Sequence, residues 1–196
     1  MPRPKQRTPE LHDRVLSTAV GVLSAEGVSA FTTRRIAKEA QTSIPAVYEL
    51  FGGKGGLIRE VFFEGFRMLY AHLQTLQESD DPRADLIALM ELYRQFVRDN
   101  RFLSEVMFSR PFTDFEPEPS ESEASGSVRV LILRHVGRCI DAELLHGDQT
   151  DIAHALVALT QGLASAENAR RLGSSQQSID RRWRMAVTAL LDGLSR

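Results

Sequence analysis

Apolar residues fall at helical intervals along almost the whole chain. Leu11, Val15, Ala19, Val22 and Leu23 stand at i, i+4, i+8, i+11 and i+12, one face of a helix, and Gly27 follows where a helix end favours glycine. Thr32 offers an N-cap to a short stripe of Ile36, Ala37 and Ala40, and Ser43 offers another to Val47 and Phe51. A broad face of Leu57, Val61, Phe62, Phe66, Leu69, Tyr70 and Leu73 starts at Lys54 and is broken by SDDPR, Ser79–Arg83. Leu86, Leu89, Met90, Tyr93, Phe96 and Val97 resume the pattern, and Phe102 to Phe108 is a shorter apolar piece. Val128 to Leu145, Ile152 to Leu172 and Ile179 to Leu194 read as three more helices. The competitor for a strand is VRVLIL, Val128–Leu133, which runs straight into helix-compatible RHVGRCIDAELL. The pattern predicts an all-α chain of about nine helices. Residues 111–127, PFTDFEPEPSESEASGS, hold three prolines, five acids and no basic residue, and read as a mobile loop.

Composition adds little to that picture, and charge adds more. The 196 residues are 42% hydrophobic and 26% charged, as in ordinary globular proteins, and no apolar run approaches the ~18 residues of a membrane span. The lone Cys139 excludes an internal disulfide framework, and the first ten residues, MPRPKQRTPE, lack the apolar core of a secretory signal, so the chain is expected in the cytoplasm. The net charge of −2 is uneven. Residues 1–54 carry eight Lys/Arg against five acids, net +3; the remainder carries sixteen against twenty-one, net −5. A basic front suggests that only the front meets a polyanion.

Thr32–Glu39 and Ser43–Phe51 have the lengths and the tight turn of a helix-turn-helix. The first helix can pack through the small Ala37 and Ala40. The second buries Val47 and Phe51 and leaves compact residues, Ser43, Ile44, Pro45 and Ala46, at the N-terminal end that such helices place in the major groove. Pro45 is tolerated there, because first-turn N–H groups have no helical partner.

At this point residues of about 9–66 resemble the DNA-binding domain of the tetracycline-repressor (TetR) family of bacterial regulators. The resemblance rests on Ala19 and Gly27, on Phe31-Thr32-Thr33 with Ile36-Ala37, on Ala40 and Ser43, and on Val47-Tyr48-x-x-Phe51-x-x-Lys54-x-x-Leu57. It implies an N-terminal three-helix DNA-binding domain over 1–54 and a larger helical ligand-binding and dimerisation domain over 55–196. It implies roles too. Thr33 looks like a phosphate contact through hydroxyl and N–H, Ser43 to Ala46 like the base-reading end, Tyr48 like a phosphate-contacting hydroxyl, and Lys54 like a phosphate contact at a helix start. Two positions depart from the family pattern. Its Ala-Gly-Val-Ser turn is Ala40-Gln41-Thr42-Ser43 here, and the acid after its lysine is Gly55. Any left-handed conformation at Gln41 would cost about 1 kcal/mol without glycine.

The expected DNA-binding set is therefore Thr32, Thr33, Arg34, Arg35, Gln41, Ser43, Ile44, Pro45, Ala46, Tyr48 and Lys54. Ile44, Pro45 and Ala46 offer bases only apolar contact, as to thymine methyls, while Arg34, Arg35 and Gln41 have the reach for polar ones. Two readings of the basic arm Arg3, Lys5 and Arg7 stand side by side: further DNA contacts, or a tail without that role. The aromatic and apolar faces of the later helices supply candidate pocket residues, Phe66, Tyr70, Leu89, Met90, Tyr93, Phe96, Phe108 and Leu163, with few charges among them; an apolar or amphipathic small molecule fits such a lining. Ala155, Ala158, Leu159, Gly162 and Ala166, with Ile179, Trp183, Val187, Leu190 and Leu194, make two stripes. They read either as an intrachain core or, as the resemblance implies for the last two helices, as a two-fold dimer interface.

Competing chemistry is thin. FGGKGG is no Walker loop, since Lys54 is followed by glycine and a helix precedes it. The five histidines pair neither with each other nor with Cys139 at zinc-like spacing, apart from His135 one turn before Cys139, and no serine sits in Gly-x-Ser-x-Gly. No catalytic residue, metal or cofactor is expected. The expected function is a homodimeric regulator, most simply a repressor released from a palindromic operator by an apolar small molecule. The alternatives are an all-helical small-molecule-binding or enzymatic protein without DNA activity, and an adaptor using the acidic segment at 111–127.

Overall fold

The structure is a computed structural model that describes residues 8–109 and 126–195. Among these the chain is all-helical. Its helices are α1 Pro9–Glu26, α2 Thr33–Glu39, α3 Ile44–Phe51, α4 Lys54–Leu73, α5 Pro82–Asp99, α6 Arg101–Ser109, α7 Gly126–Asp141, α8 Gln149–Asn168 and α9 Gln176–Gly193, with a 3-10 turn Val28–Ala30 after α1. The described residues form two compact units. One holds 8–67 and 100–109; the other holds 68–99 and 126–195. The boundary expected at 54/55 is the first step of α4, a helix that contributes residues to both units.

In the first unit the caps fall where the sequence places them. Thr8, Thr32 and Ser43 accept from the N–H of Leu11, Arg35 and Ala46 at 3.3, 3.3 and 3.2 Å. Each satisfies one of the donors that a helix start leaves without an intrahelical partner. Leu11, Val15, Ala19, Val22 and Leu23 are buried as the α1 face, joined by Ile36, Ala37, Ala40, Val47, Phe51 and Leu57. His12 stacks on Phe51 with ring centroids 4.6 Å apart. α6 belongs to this unit and packs on α1, with the Phe102 ring so close to Gly27 that a Cβ there would lie 2.9 Å from it. Gly65 of α4 similarly admits Met107, whose sulfur would lie 2.7 Å from a Cβ.

The second unit packs α5 against α7 and α8, and α8 against both α7 and α9. VRVLIL is helical: Leu131, Ile132, His135, Val136 and Cys139 share the buried face of α7, so the 3.6-residue period prevails over β-branching. Three boundaries differ from the expectation. The loop expected over 111–127 yields its last two residues to α7, which begins at Gly126; 111–125 lie outside the described residues, as do Arg3, Lys5 and Arg7. α7 ends at Asp141 instead of reaching Leu145, and α8 ends at Asn168 instead of Leu172. Both stop because Glu143 and Arg170 turn left-handed, with φ of 58° and 55°.

Candidate nucleic-acid interface

The turn between α2 and α3 is built from backbone bonds. Ala40 N–H donates to the Ile36 carbonyl at 2.9 Å, Gln41 N–H to Lys38 at 3.2 Å, and Thr42 N–H to Ala37 at 2.9 Å. This is a Schellman ending, whose C′ residue is left-handed, and Gln41 takes that place with φ of 53°. From α1, the Arg14 Nε donates to the Ala40 carbonyl at 3.0 Å and holds the turn on the helix behind it. Arg14 thus supports the turn from α1.

α3 leaves this turn with Ser43 as cap and Pro45 in its first helical turn. Val47 and Phe51 face inward, so its N-terminal end and opposite side face solvent. Ile44 is 41% exposed and Tyr48 52%, large values for such side chains; Ser43 and Pro45 are exposed too, and Ala46 is half-buried. The Ser43 and Thr32 hydroxyls use acceptor lone pairs on their own caps, which leaves their O–H groups as donors suited to phosphate or base acceptors.

α3 ends on Gly52, left-handed at φ 71°, followed by Gly53 at φ 119°. The Tyr48 ring lies over Gly53, where a Cβ would be 3.5 Å from it. α4 then starts at Lys54. A Cβ on Gly56 would fall 1.7 Å from the Phe51 carbonyl oxygen, so α3's last turn and α4's first approach within a distance that only glycine permits.

The expected contact residues sit in one stretch of structure, the start of α2, the turn, the start and outer side of α3, and the start of α4. Thr32, Arg34 and Gln41 are exposed; Thr33, Arg35 and Lys54 are half-buried. Arg35 differs from Arg34. Its guanidinium donates to Glu26 Oε2 at 2.6 Å, pairs with Glu26 Oε1 as well, and donates to Glu39 Oε1 at 2.8 Å. The Glu26 and Glu39 hydrogen bonds push its pKa further up. Arg35 ties α2 to the end of α1.

The other two residue sets are dispersed. Phe66 and Phe108 meet edge to face in the first unit, with centroids 5.9 Å apart. Leu89, Tyr93 and Phe96 are packed in the second unit's interior, where the Tyr93 hydroxyl accepts from Gln161 Nε2 at 3.1 Å and burial raises its pKa. Tyr70 and Leu163 are half-buried. Of the eight, Met90 alone lines the groove of about 620 Å³ found in that unit between α5 and α9. The groove's charged residues escaped the sequence reading. Arg94 within the α5 stripe and Asp180 beside the α9 stripe were the available signal, charges in register with an apolar face. On the two stripes of the last helices, Ala155, Ala158 and Gly162 are exposed, and Leu159, Ala166, Ile179, Leu190 and Leu194 are half-buried. Trp183 and Val187 are buried inside the unit itself, 2% and 4% exposed. Among the described residues no group of three or more His, Cys, Asp or Glu side chains is placed to hold a metal ion, and no helix is long and apolar enough to cross a membrane.

Comparison with known proteins agrees with this architecture. The family described as "Bacterial regulatory proteins, tetR family" matches residues 15–61, and "Tetracyclin repressor-like, C-terminal domain" matches residues 86–190. No curated protein matches the chain in sequence. A Rhodococcus sp. RHA1 protein of unknown function superposes with a TM-score of 0.81 at 24% identity, over 99% of this chain and 100% of that one. A regulatory protein of the tetR family from Rhodococcus RHA1 gives 0.69 at 22%, over 95% and 98%. The fatty acid degradation regulator FadR from Bacillus halodurans gives 0.72 at 14%, over 96% and 98%. At these identities the structures speak for a shared fold, and the two family matches, the second spanning more than half of the chain, supply the rest: this chain belongs to the TetR family, and is a ligand-responsive, DNA-binding transcriptional regulator and no enzyme.

Proposed function

We propose that this chain acts in the cytoplasm as a homodimeric repressor, with residues 1–54 as reading head and 55–196 as effector-binding and dimerising body. It leaves a palindromic operator when a small molecule binds. The observation that carries the reading is the exposed N-terminal end of α3, compact and solvent-facing behind a left-handed Gln41. Ser43, Ile44, Pro45 and Ala46 enter the major groove, with Ile44 and Ala46 against thymine methyls and Ser43 donating to a base or phosphate. Gln41 and Arg34 reach further base edges or phosphates. Thr32, Thr33, Tyr48 and Lys54 set the head on the backbone, the two threonines and Lys54 being near helix starts, where N–H groups and dipole favour an anion. Arg35 reaches phosphate only while keeping Glu26 and Glu39, so its part is chiefly to hold α2 in place.

Two heads reading a palindrome need a spacing of about 34 Å, one turn of DNA. The exposed small residues of α8, Ala155, Ala158 and Gly162, flanked by Leu159 and Ala166, supply a face that a second copy can approach closely, and Ile179, Leu190 and Leu194 border it from α9. An effector that prefers dimers whose heads are wrongly spaced shifts the population off the operator by its differential affinity for the two arrangements.

The test is the salt dependence of binding to the chain's own upstream DNA. Lys54→Ala is expected to weaken binding to every sequence alike and to flatten the slope of log K against log salt by about one unit. An unchanged slope removes Lys54 from the phosphate contacts, and no salt-sensitive binding by the wild type removes the whole reading.

A further inference from the structure

The Ala40–Gln41 peptide closes α2 and opens the turn to α3, and both of its polar groups are held. Its N–H donates to the Lys38 carbonyl at 3.2 Å, and its carbonyl accepts from Arg14 Nε at 3.0 Å. Ala40 is 1% exposed, so water scarcely reaches that carbonyl, and among the described residues Arg14 is its one donor. Arg14 has no carboxylate partner among the described residues, so its full charge bears on this bond.

Gln41 sits at φ 53°, where a side chain is strained. Two movements relieve such strain. In the first, the chain beyond Gln41 swings, which the burial of Val47 and Phe51 in α3 opposes. In the second, the Ala40–Gln41 plane rotates in place, with the change shared between ψ of Ala40 and φ of Gln41, and α3 stays where it is. That rotation gives Gln41 an ordinary negative φ and re-aims its side chain. It also takes the N–H from Lys38 and the carbonyl from Arg14. The N–H bond is at the long limit of its kind and the Arg14 bond is charge-assisted, so Arg14 is the stronger restraint.

The donor stands on a fixed frame. Leu11, Val15 and Ala19 of α1 are buried around it. The body of α2 does not depend on Arg14, because Ile36 and Ala37 are buried and Arg35 ties the start of α2 to Glu26. Loss of Arg14 therefore frees one peptide plane and leaves both helices in place.

We propose that Arg14 is a positioning residue for operator reading: its bond to the Ala40 carbonyl locks the Ala40–Gln41 peptide, keeps Gln41 left-handed and aims the Gln41 side chain at DNA. This rests on the reading of the chain as a DNA-binding regulator in which Gln41 reaches the operator. The lock is needed because the residue is glutamine; glycine at position 41 holds the same conformation without help. A head without the lock spends part of its time with Gln41 turned away. Its apparent affinity then falls in proportion to the fraction that stays competent.

The test compares Arg14→Met with wild type, and repeats the comparison in the Gln41→Gly background. Arg14→Met is expected to weaken binding to the chain's own upstream operator by about tenfold, and to leave binding to a shuffled duplex and the salt slope unchanged. In the Gln41→Gly background the same substitution is expected to change operator affinity by less than about twofold. Hydrogen exchange reads the peptide without DNA. The N–H at position 41 should exchange at least about fivefold faster in Arg14→Met, but not when Gln41→Gly is also present. The Val47 N–H, bonded to the Ser43 carbonyl in α3, should keep its rate in both. Equal loss on operator and shuffled duplex, with a salt slope lower by about one, makes Arg14 a phosphate contact and overturns the lock. An equal loss in both backgrounds overturns it, as does an unchanged exchange rate at position 41. Faster exchange throughout α2 and α3 overturns it as well, since Arg14 then merely stabilises the unit. Faster exchange at position 41 with operator affinity unchanged overturns the role in reading. Wild-type protein that binds neither duplex overturns the proposed function, and the exchange rates then still decide whether Arg14 locks the peptide.

Discussion

Gln41, Glu143 and Arg170 share a backbone conformation that side chains resist. Each sits at φ between 53° and 58°, as the C′ residue of α2, α7 and α8 respectively. In all three, the paired N–H bonds of a Schellman ending close the helix, and glycine would fit without strain. Left-handed strain of about 1–2 kcal/mol exceeds the 0.4–1 kcal/mol that glycine loses through a freer unfolded chain. Replacement of any of them by glycine is therefore expected to stabilise the protein by about 0.5–1 kcal/mol, read from urea unfolding with an unchanged m value. Gln41→Gly alone should also weaken operator binding in a gel-shift titration, because strain retained at the reading head has a side chain to display. If affinity stays the same while stability rises, Gln41 is not a DNA contact. Gly56 is the reverse case, a glycine with no positive φ whose place is set by the Phe51 carbonyl. Nothing in a local reading of FGGKGG distinguishes Gly56 from Gly55, because the crowding atom belongs to the preceding helix.

Helix starts were legible because caps are local. Thr32 and Ser43 announce α2 and α3 by residue type, and hydroxyl-to-backbone bonds follow from three residues of spacing. Helix ends were less so, since no glycine marks the stops of α7 and α8. The start of α5 depends on a partner distant in sequence. Asp85 accepts from the Ser79 N–H at 2.9 Å and from the Ser79 hydroxyl at 2.8 Å, and Arg138 of α7 donates to it at 2.6 Å. Arg138 also donates to the Ser79 carbonyl at 2.7 Å. The Ser79 N–H first, then its hydroxyl and Arg138, hold the Asp85 carboxyl down to about 2, against an ordinary 3.8. A depressed carboxyl favours folding above its unfolded pKa and loses that contribution as pH falls through the folded one. Stability should therefore drop between pH of about 4 and about 2, and Asp85→Asn should lower stability at pH 7 and flatten that part of the profile, measured by thermal melts across pH. A profile of unchanged steepness in Asp85→Asn would assign the acid sensitivity elsewhere.

At the scale of the molecule, the chain passes from one unit to the other within α4 and again between α5 and α6. α6 joins the first unit, where Phe102 fills the space over Gly27 and Met107 the space over Gly65. The order of helices could not reveal this, and a boundary drawn at 54/55 leaves α6 with the body. The same scale decides which apolar stripe is interior. Trp183 and Val187 look like Leu190 and Leu194 in sequence, yet the first two are buried within the protomer and the others half-exposed. The proposed dimer face is better tested on α8. Ala158→Glu, at an exposed position, should leave the melting temperature of the protomer near wild type and yield monomers without palindrome binding; a dimer of wild-type mass in light scattering would sink the assignment. What the sequence determined by itself was everything set by short-range rules: the all-helical class from a 3.6-residue period, the helix starts from caps, and the helix-turn-helix from a motif spanning about fifty residues. Tertiary structure alone decided where α6 belongs, which stripe is core, that Arg35 is tied down by Glu26 and Glu39, and that Arg94 and Trp183 meet beside a groove. Those depend on side chains that approach in space from far apart in sequence, as Arg94 and Asp180 do from 86 residues apart, and no local periodicity encodes such a meeting.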